Sequence, residues 1–263
     1  MPDMARLDYY WRLLATGASF SVFGVGALII TVSLFPAIHL FAANRGRAQR
    51  RCQYVVHISF RAFIWMMKTL GILTYEFSDT DKLPIGSGHL IIANHPTLLD
   101  VVFVISRLPT TQCVVKKAAW SNPFLAGVMW ATGYIQNEDP LVLIDDCVRA
   151  LQEGNNLVIF PEATRTIPGG KMKLKRGAAS VISTSRQLFT PLIMTCEPST
   201  LAKGQKWFDI PNRRVHFKIS VGDPVDPVPL LMDGEQLSKS NRRINNVIEE
   251  LFVTGIERHG RSH

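Results

Sequence analysis

The sequence is short of cysteine, and the cysteines it has are dispersed. Cys52, Cys113, Cys147 and Cys196 are the four in 263 residues, and no pair stands at metal-ligand spacing. Such thiols are expected to be reduced, in a cytoplasmic setting, and no metal centre is expected. No serine or cysteine sits in a recognised nucleophile motif, which argues against a covalent enzyme intermediate. Internal repeats and low-complexity tracts are also missing, so the length suits one large domain with a substantial core. The formal charge is +8 and the pI about 9.5, which predicts an anionic partner. No nucleic-acid-binding signature accompanies that charge, so nucleic acid is not the expected partner and anionic lipid fits better.

Charge itself is missing from residues 13–43, apart from any proton on His39. That run exceeds the roughly 20 apolar residues that span a bilayer. It is too long for a signal-peptide core, and no A-x-A cleavage site follows it. Arg45, Arg47, Arg50 and Arg51 come next, whereas Arg6 and Arg12 on the other flank are offset by Asp3 and Asp8. The positive-inside rule then puts the rest of the chain on the cytoplasmic side of the inner membrane. Pro36 should kink or end a helix within the run. In residues 53–73, Gln53, His57, Arg61 and Lys68 fall near one helical stripe, with Phe60, Phe63, Ile64, Met67 and Leu70 around it. This is the pattern of a helix lying in the membrane interface with its cations toward lipid phosphates; a buried helix of the main domain is the alternative. Residues 1–75 are read as membrane-anchoring helices and 76–263 as a catalytic domain.

What the chain does contain is a pair of motifs at strand ends. The apolar run 89–93 reads as a short buried strand and leads into Asn94-His95-Pro96-Thr97-Leu98-Leu99-Asp100. Imidazole is the side chain best suited to take a proton near neutral pH, and a carboxylate can hold its tautomer and stabilise the cation. Positions i and i+5 of one helix lie about 140° apart, so His95 and Asp100 meet only across a turn. Pro96 suits that turn, with His95 ahead of a helix and Asp100 in its first turns. About sixty residues on, a second buried strand, 156–160, runs into Pro161-Glu162-Ala163-Thr164-Arg165-Thr166.

Together these blocks resemble the glycerolipid acyltransferases, which acylate lysophosphatidic acid and related acceptors. Asn94, His95 and Asp100 match that family's N-H-x-x-x-x-D block in full. Phe160, Pro161, Glu162, Thr164 and Arg165 match its F-P-E-G-T-R block, with Ala163 in place of glycine. The resemblance covers residues 83–198. It implies a donor that is a substrate, acyl-CoA or acyl-acyl carrier protein, with no further cofactor. It also implies that a lysine after the 112–116 strand binds acceptor phosphate, and Lys116 is the better match over Lys117. The family's second block runs from a glycine to an arginine six residues on. Here the run begins at Gly133 and ends at Asp139, preceded by Glu138. An acidic pair where a phosphate-binding arginine is expected favours, as the alternative, a hydroxyl lipid without a phosphomonoester, such as an amino-acid lipid or a hydroxyacyl or polyene conjugate. A non-catalytic lipid-binding protein on the same fold is a further alternative.

Elsewhere, turn residues mark a loop at 79–88, followed by apolar helices at 101–106 and 123–132, the latter with Phe124, Met129 and Trp130. Residues 141–153 have helical periodicity ending at Gly154. Gly169 and Gly170 precede Lys171, Lys173, Lys175 and Arg176, a basic run placed to meet donor phosphates or membrane, or else a solvated face. A strand follows at 188–195. Residues 215–221 alternate His216 and Lys218 with apolar residues, an edge-strand pattern, and a closing helix spans 235–258. Strands alternating with helices predict an α/β domain with a mostly parallel or mixed central sheet flanked by helices, like glycerol-3-phosphate acyltransferase, behind the N-terminal membrane-associated helices. The expected chemistry is acyl transfer from a thioester to a lipid hydroxyl, with His95 as base and Asp100 as its orienter. Backbone N–H groups at the helix start after His95 are expected to hold the oxyanion. Arg165 is expected to grip an anionic head group and Glu162 to fix the loop or orient Arg165, with Thr164 beside them and Asn94 and Pro161 in support.

Overall fold

A computed structural model of the protein describes residues 2–261, apart from 85, 87, 123, 124, 167–169, 171 and 233. Gly169, Lys171, Pro123 and Phe124, which figure in the motifs above, lie outside the described residues. The chain opens with α1 (Pro2–Ile29), a π turn (Ile30–Leu34), α2 (Phe35–Phe41) and α3 (Arg45–Thr69). The strand β1 (Leu73–Ser78) leads through a loop to β2 (Leu90–Ala93), α4 (Asp100–Ile105), β3 (Thr111–Lys116), α5 (Lys117–Trp120) and α6 (Ala126–Thr132). Then come β4 (Ile135–Asn137), α7 (Pro140–Gln152), β5 (Asn156–Ile159), α8 (Arg176–Ser185), β6 (Phe189–Glu197), β7 (Val215–Val221) and α9 (Leu237–Arg261).

Among the described residues seven strands form one sheet, in the order β1-β7-β6-β2-β5-β3-β4. Every pairing is parallel except β6 with β7, so the sheet is mixed, as the alternation of elements predicts. β2 and β5 are buried at every residue, which is why their sequences are apolar runs without alternation. One face of the sheet carries Ile91, Val158, Met194 and Phe217 against α3 and α4. The other carries Leu90, Ile92, Leu157 and Phe189 against α7, α8 and α9. β1 begins upstream of residue 76, and its Leu73 is core.

β7 is not an edge strand. It lies between β6 and β1. Its alternation reflects a sheet face that the end of α9 covers with polar groups. The Lys218 ammonium donates to the His259 carbonyl at 3.1 Å, and the His259 ring meets the Thr195 and Ser220 hydroxyls at 3.0 and 2.8 Å.

The N-terminal helices are bound to this domain at both ends. Arg12 is almost fully buried, donating to Asp8 and to the carbonyls of Pro211 and Asn212, each at 2.8 Å. Ala15 packs in the core cluster of Ile64, Met67 and Leu73, and Phe35 in the cluster of Cys52, Ile105 and Met129. The π turn precedes Pro36, whose missing N–H breaks the regular ladder there; Phe35 N–H reaches back to Ile30 instead. The helical run Met4–Phe41 is the one described helix long and apolar enough to cross a membrane.

In α3 the interfacial stripe is differently composed from the expectation. Gln53 and His57 point into the protein, not toward lipid. Gln53 donates through Nε2 to the Thr132 carbonyl at 2.8 Å, and His57 Nδ1 contacts the Ile105 carbonyl at 2.7 Å. Thr132 and Ile105 end α6 and α4, so these side chains satisfy helix-terminal carbonyls that have no intrahelical partner. The outward stripe is Tyr54, Ile58, Arg61, Trp65 and Lys68, exposed at helical spacing.

Candidate active site

β2 and β5 deliver the two motifs to the same end of the sheet, as their parallel pairing requires. Past β2, the chain turns at Pro96, and Asp100 opens α4. The His95 Nδ1 lies 2.9 Å from Asp100 Oδ2. The same oxygen accepts the Thr97 N–H at 2.6 Å, and Oδ1 accepts the Thr97 hydroxyl at 2.6 Å. That hydroxyl also accepts the Leu99 N–H at 3.1 Å, which leaves its own proton for Asp100. Asp100 is fully buried, and burial raises its carboxyl pKa against the donors and charge of His95 and the donors of Thr97. Two N–H donors converge on Oδ2, so Nδ1 carries the imidazole proton and Nε2 keeps its lone pair. Sequence reading missed Thr97, although Thr97-x-x-Asp100 has the spacing of a reciprocal helix cap.

The His95 backbone is held from both sides by the second motif. Its N–H donates to Glu162 Oε1 at 2.7 Å, and its carbonyl accepts the Thr166 N–H at 3.0 Å. The imidazole packs on the Phe160 ring, with centroids 4.6 Å apart. Asn94 fastens the end of β2 to β6 by exchanging both hydrogen bonds with Met194, at 2.8 and 2.6 Å. Ala163 takes a left-handed conformation, φ 56°, which costs a residue with a Cβ about 1 kcal/mol and explains why glycine suits this turn.

His95 lines a cleft of about 340 Å³ with Lys116, Asn137, Pro161, Thr164, Arg165 and Lys175. Val101, Val115, Leu143, Ile159 and Val181 make the rest of it apolar. Of the residues singled out from sequence, His95, Lys116, Pro161, Thr164 and Arg165 meet on this surface, whereas Asn94, Asp100 and Glu162 stand behind it. Among the described residues of the basic run, Lys175 reaches the cleft. Cys113 and Cys147 also line it, but burial pushes both thiols up to about 12, so neither is a ready nucleophile.

The structure refines three expectations. Of the two roles expected of Glu162, it fills the first, bracing the loop through the His95 N–H, and Arg165 instead donates through Nη1 to the carbonyls of Leu201 and Ala202, at 2.8 and 3.3 Å. Of the N–H groups after His95, three already have acceptors and are not free for an oxyanion: Thr97 N–H is taken by Asp100, Leu98 N–H by the Leu201 carbonyl and Leu99 N–H by Thr97. Asp139 is the N-cap of α7, accepting the Leu141 N–H at 2.8 Å, while Glu138 is ion-paired with Lys117. The acidic pair is thus absorbed locally, and the cleft-facing residue of this segment is Asn137.

Glu162 is buried with Oε2 unpaired, and burial pushes its carboxyl from 4.5 to about 6. Below pH 4.5 the group is protonated both folded and unfolded. Between 4.5 and 6 the folded state alone holds the proton, and above 6 the native state carries a buried charge costing about 2 kcal/mol. Glu162→Gln keeps the acceptor for His95 and removes the charge. Relative to this variant, wild type should lose about 2 kcal/mol of unfolding free energy between pH 4.5 and 7. Urea unfolding in detergent across that range measures it; parallel pH curves would overturn the assignment.

The family model described as "Acyltransferase" matches residues 74–195. A 1-acyl-sn-glycerol-3-phosphate acyltransferase of Helicobacter pylori is 31% identical over 175 residues, covering 64% of this chain and 70% of that protein. One from Cocos nucifera is 25% identical over 147 residues, covering 53% of this chain but only 46% of the relative. The crystal structure of the 1-acyl-sn-glycerophosphate acyltransferase PlsC from Thermotoga maritima superposes with a TM-score of 0.60 at 16% identity, over 91% of this chain and 97% of that one, and shares the fold. With the two strand-end motifs joined at one histidine, these likenesses make the chain a member of the glycerolipid acyltransferase family, an enzyme that transfers acyl groups.

Proposed function

We propose that this enzyme moves a fatty acyl group from a thioester, acyl-CoA or acyl-acyl carrier protein, to the free hydroxyl of a lysophospholipid, with 1-acylglycerol-3-phosphate as the acceptor. The observation that carries the reading is the His95–Asp100 pair, 2.9 Å apart, with His95 on the wall of an apolar cleft. His95 Nε2 takes the hydroxyl proton as the oxygen attacks the thioester carbonyl. The tetrahedral intermediate collapses with loss of the thiolate, which receives the proton from the imidazolium. Asp100 stabilises that cation throughout, and no acyl-enzyme is formed. The first turn of α8 has no side-chain cap, and its Gly177 and Ala178 line the cleft, so its N–H groups are the donors for the oxyanion. Arg165 and Lys116 receive the acceptor phosphate; Lys173, Lys175 and Arg176 face the donor's phosphates.

The N-terminal helices support a site at the membrane. Ala15 and Phe35 are buried in the same domain with about 30 Å of helix between them, so the uncharged run lies along the domain instead of leading away from it. We place it in one leaflet, with Leu7, Leu14, Val22, Val25 and Leu28 toward lipid and the catalytic domain on the cytoplasmic face.

A second reading keeps the chemistry and takes an acceptor without a phosphomonoester. It is favoured by the lack of a cation at Asp139, where the resemblance leads one to expect a phosphate-binding arginine, and by the uncharged Asn137 that faces the cleft in this segment. The test offers 1-palmitoyl lysophosphatidate and a non-phosphorylated hydroxy lipid in competition, with palmitoyl-CoA or palmitoyl-acyl carrier protein, and follows products by mass spectrometry. Phosphatidate should dominate; a wild type that ignores lysophosphatidate would overturn the first reading and leave the second.

A further inference from the structure

The cleft beside His95 is one of two chambers that meet at Arg165. The second is a groove of about 1060 Å³ between α1 and the 201–208 segment. Arg165 lines both chambers, and Leu98, from the turn that joins His95 to Asp100, lines the groove. The groove is largely hydrocarbon, walled by Leu13, Leu14, Phe20 and Trp207. Its rim is open: Leu14 is 71% exposed and Trp207 48%. Contiguous apolar surface of this kind marks a lipid or partner site. Among the described residues Arg165 uses only Nη1, in its bonds to Leu201 and Ala202, and this leaves Nε and Nη2 for a ligand at the junction.

Acyl transfer between two lipids brings two hydrocarbon chains to one histidine at the same moment. We infer that the groove under α1 holds the tail of the acceptor lipid, head group at Arg165, while the cleft holds the donor's acyl chain. The inference rests on the acyl-transfer reading given above. The groove suits the acceptor because its wall is the apolar helix α1. Its rim also carries the interfacial combination of Trp207 and Phe208 with Lys206, whose ammonium lies 5.3 Å from the Phe208 ring centroid. A lysolipid can slide in from the bilayer without leaving it. The cleft suits the donor because it runs between strands and α8, beside Lys175, and away from α1.

Ala18 lies exposed on the groove wall, so Ala18→Phe should fill the groove without disturbing the core. With 1-palmitoyl lysophosphatidate its KM should rise about tenfold or more, and with 1-hexanoyl lysophosphatidate it should stay within about twofold. The profile across octanoyl- to palmitoyl-CoA should be unchanged. A shift in the donor profile, or in neither, would overturn the assignment. A second arm irradiates wild type with lysophosphatidate bearing a diazirine at the end of its tail. Label within residues 13–21 or 205–208, competed by unlabelled lipid, supports the groove. Label around Val101, Cys113 and Cys147, or no competed label, overturns it. If lysophosphatidate is not turned over, the acceptor proposal fails on its own and the label still decides the groove.

Discussion

Replacing His95 by alanine should lower kcat/KM by about 10²–10⁴-fold while leaving the protein folded. The backbone bonds that stitch the two motifs together, from His95 N–H to Glu162 and from Thr166 N–H to the His95 carbonyl, do not involve the imidazole. Asp100 keeps both donations from Thr97. Asp100→Asn should be at least as damaging to rate and worse for stability. Oδ2 accepts two N–H donors, and an amide nitrogen in that place can accept neither. An amide turned to satisfy them would set its nitrogen at the position that receives the Thr97 hydroxyl, and it would stabilise no imidazolium. Steady-state rates with both variants, beside thermal unfolding in the same detergent, make the check. An alanine variant within tenfold of wild type would sink the general-base mechanism.

What could be read from sequence follows the strength of the constraint at each place. β2 and β5 announced themselves because central strands covered on both faces need unbroken apolar runs. His95 and Asp100 were legible because Pro96 lets a base and its orienter meet across a turn, and because the block from Asn94 to Asp100 resembles the acyltransferase motif in full. The polar residues that close helix ends were not. Gln53 and His57 look like the solvent side of an amphipathic helix, since periodicity cannot distinguish a polar group facing water from one facing a buried carbonyl. β7 misled for a related reason. His216 and Lys218 alternate with apolar residues because α9 meets that face with the His259 ring and carbonyl, not because the strand is an edge. The oxyanion expectation narrowed on an accounting point: every N–H from Thr97 to Leu99 already had an acceptor, and only the folded loop shows which.

Arg165→Ala should raise the KM for lysophosphatidate about tenfold to a hundredfold, the loss expected for charge-assisted hydrogen bonds to a phosphate. Arg165→Lys should recover part of this, because an ammonium can supply the charge but not the planar fork. The guanidinium also braces the Leu201–Ala202 backbone, so the KM and kcat effects need to be separated. A fall in kcat with KM unchanged would show that bracing is its whole role. Restoring the family's missing cation requires care about position. Asp139→Arg removes the α7 N-cap and should cost about 1 kcal/mol of stability, whatever it does to the substrate. Asn137 is exposed and lines the cleft, so Asn137→Arg puts the charge where a phosphate can meet it. If lysophosphatidate is the natural acceptor, Asn137→Arg should leave its KM equal or lower and partly offset Arg165→Ala. If the acceptor lacks a phosphomonoester, wild type should start with poor lysophosphatidate use, and Asn137→Arg should shift the competition toward it. Failure of Asn137→Arg to alter either acceptor, in a variant that unfolds at the wild-type temperature, would place the head group away from β4 and leave Arg165 as its anchor.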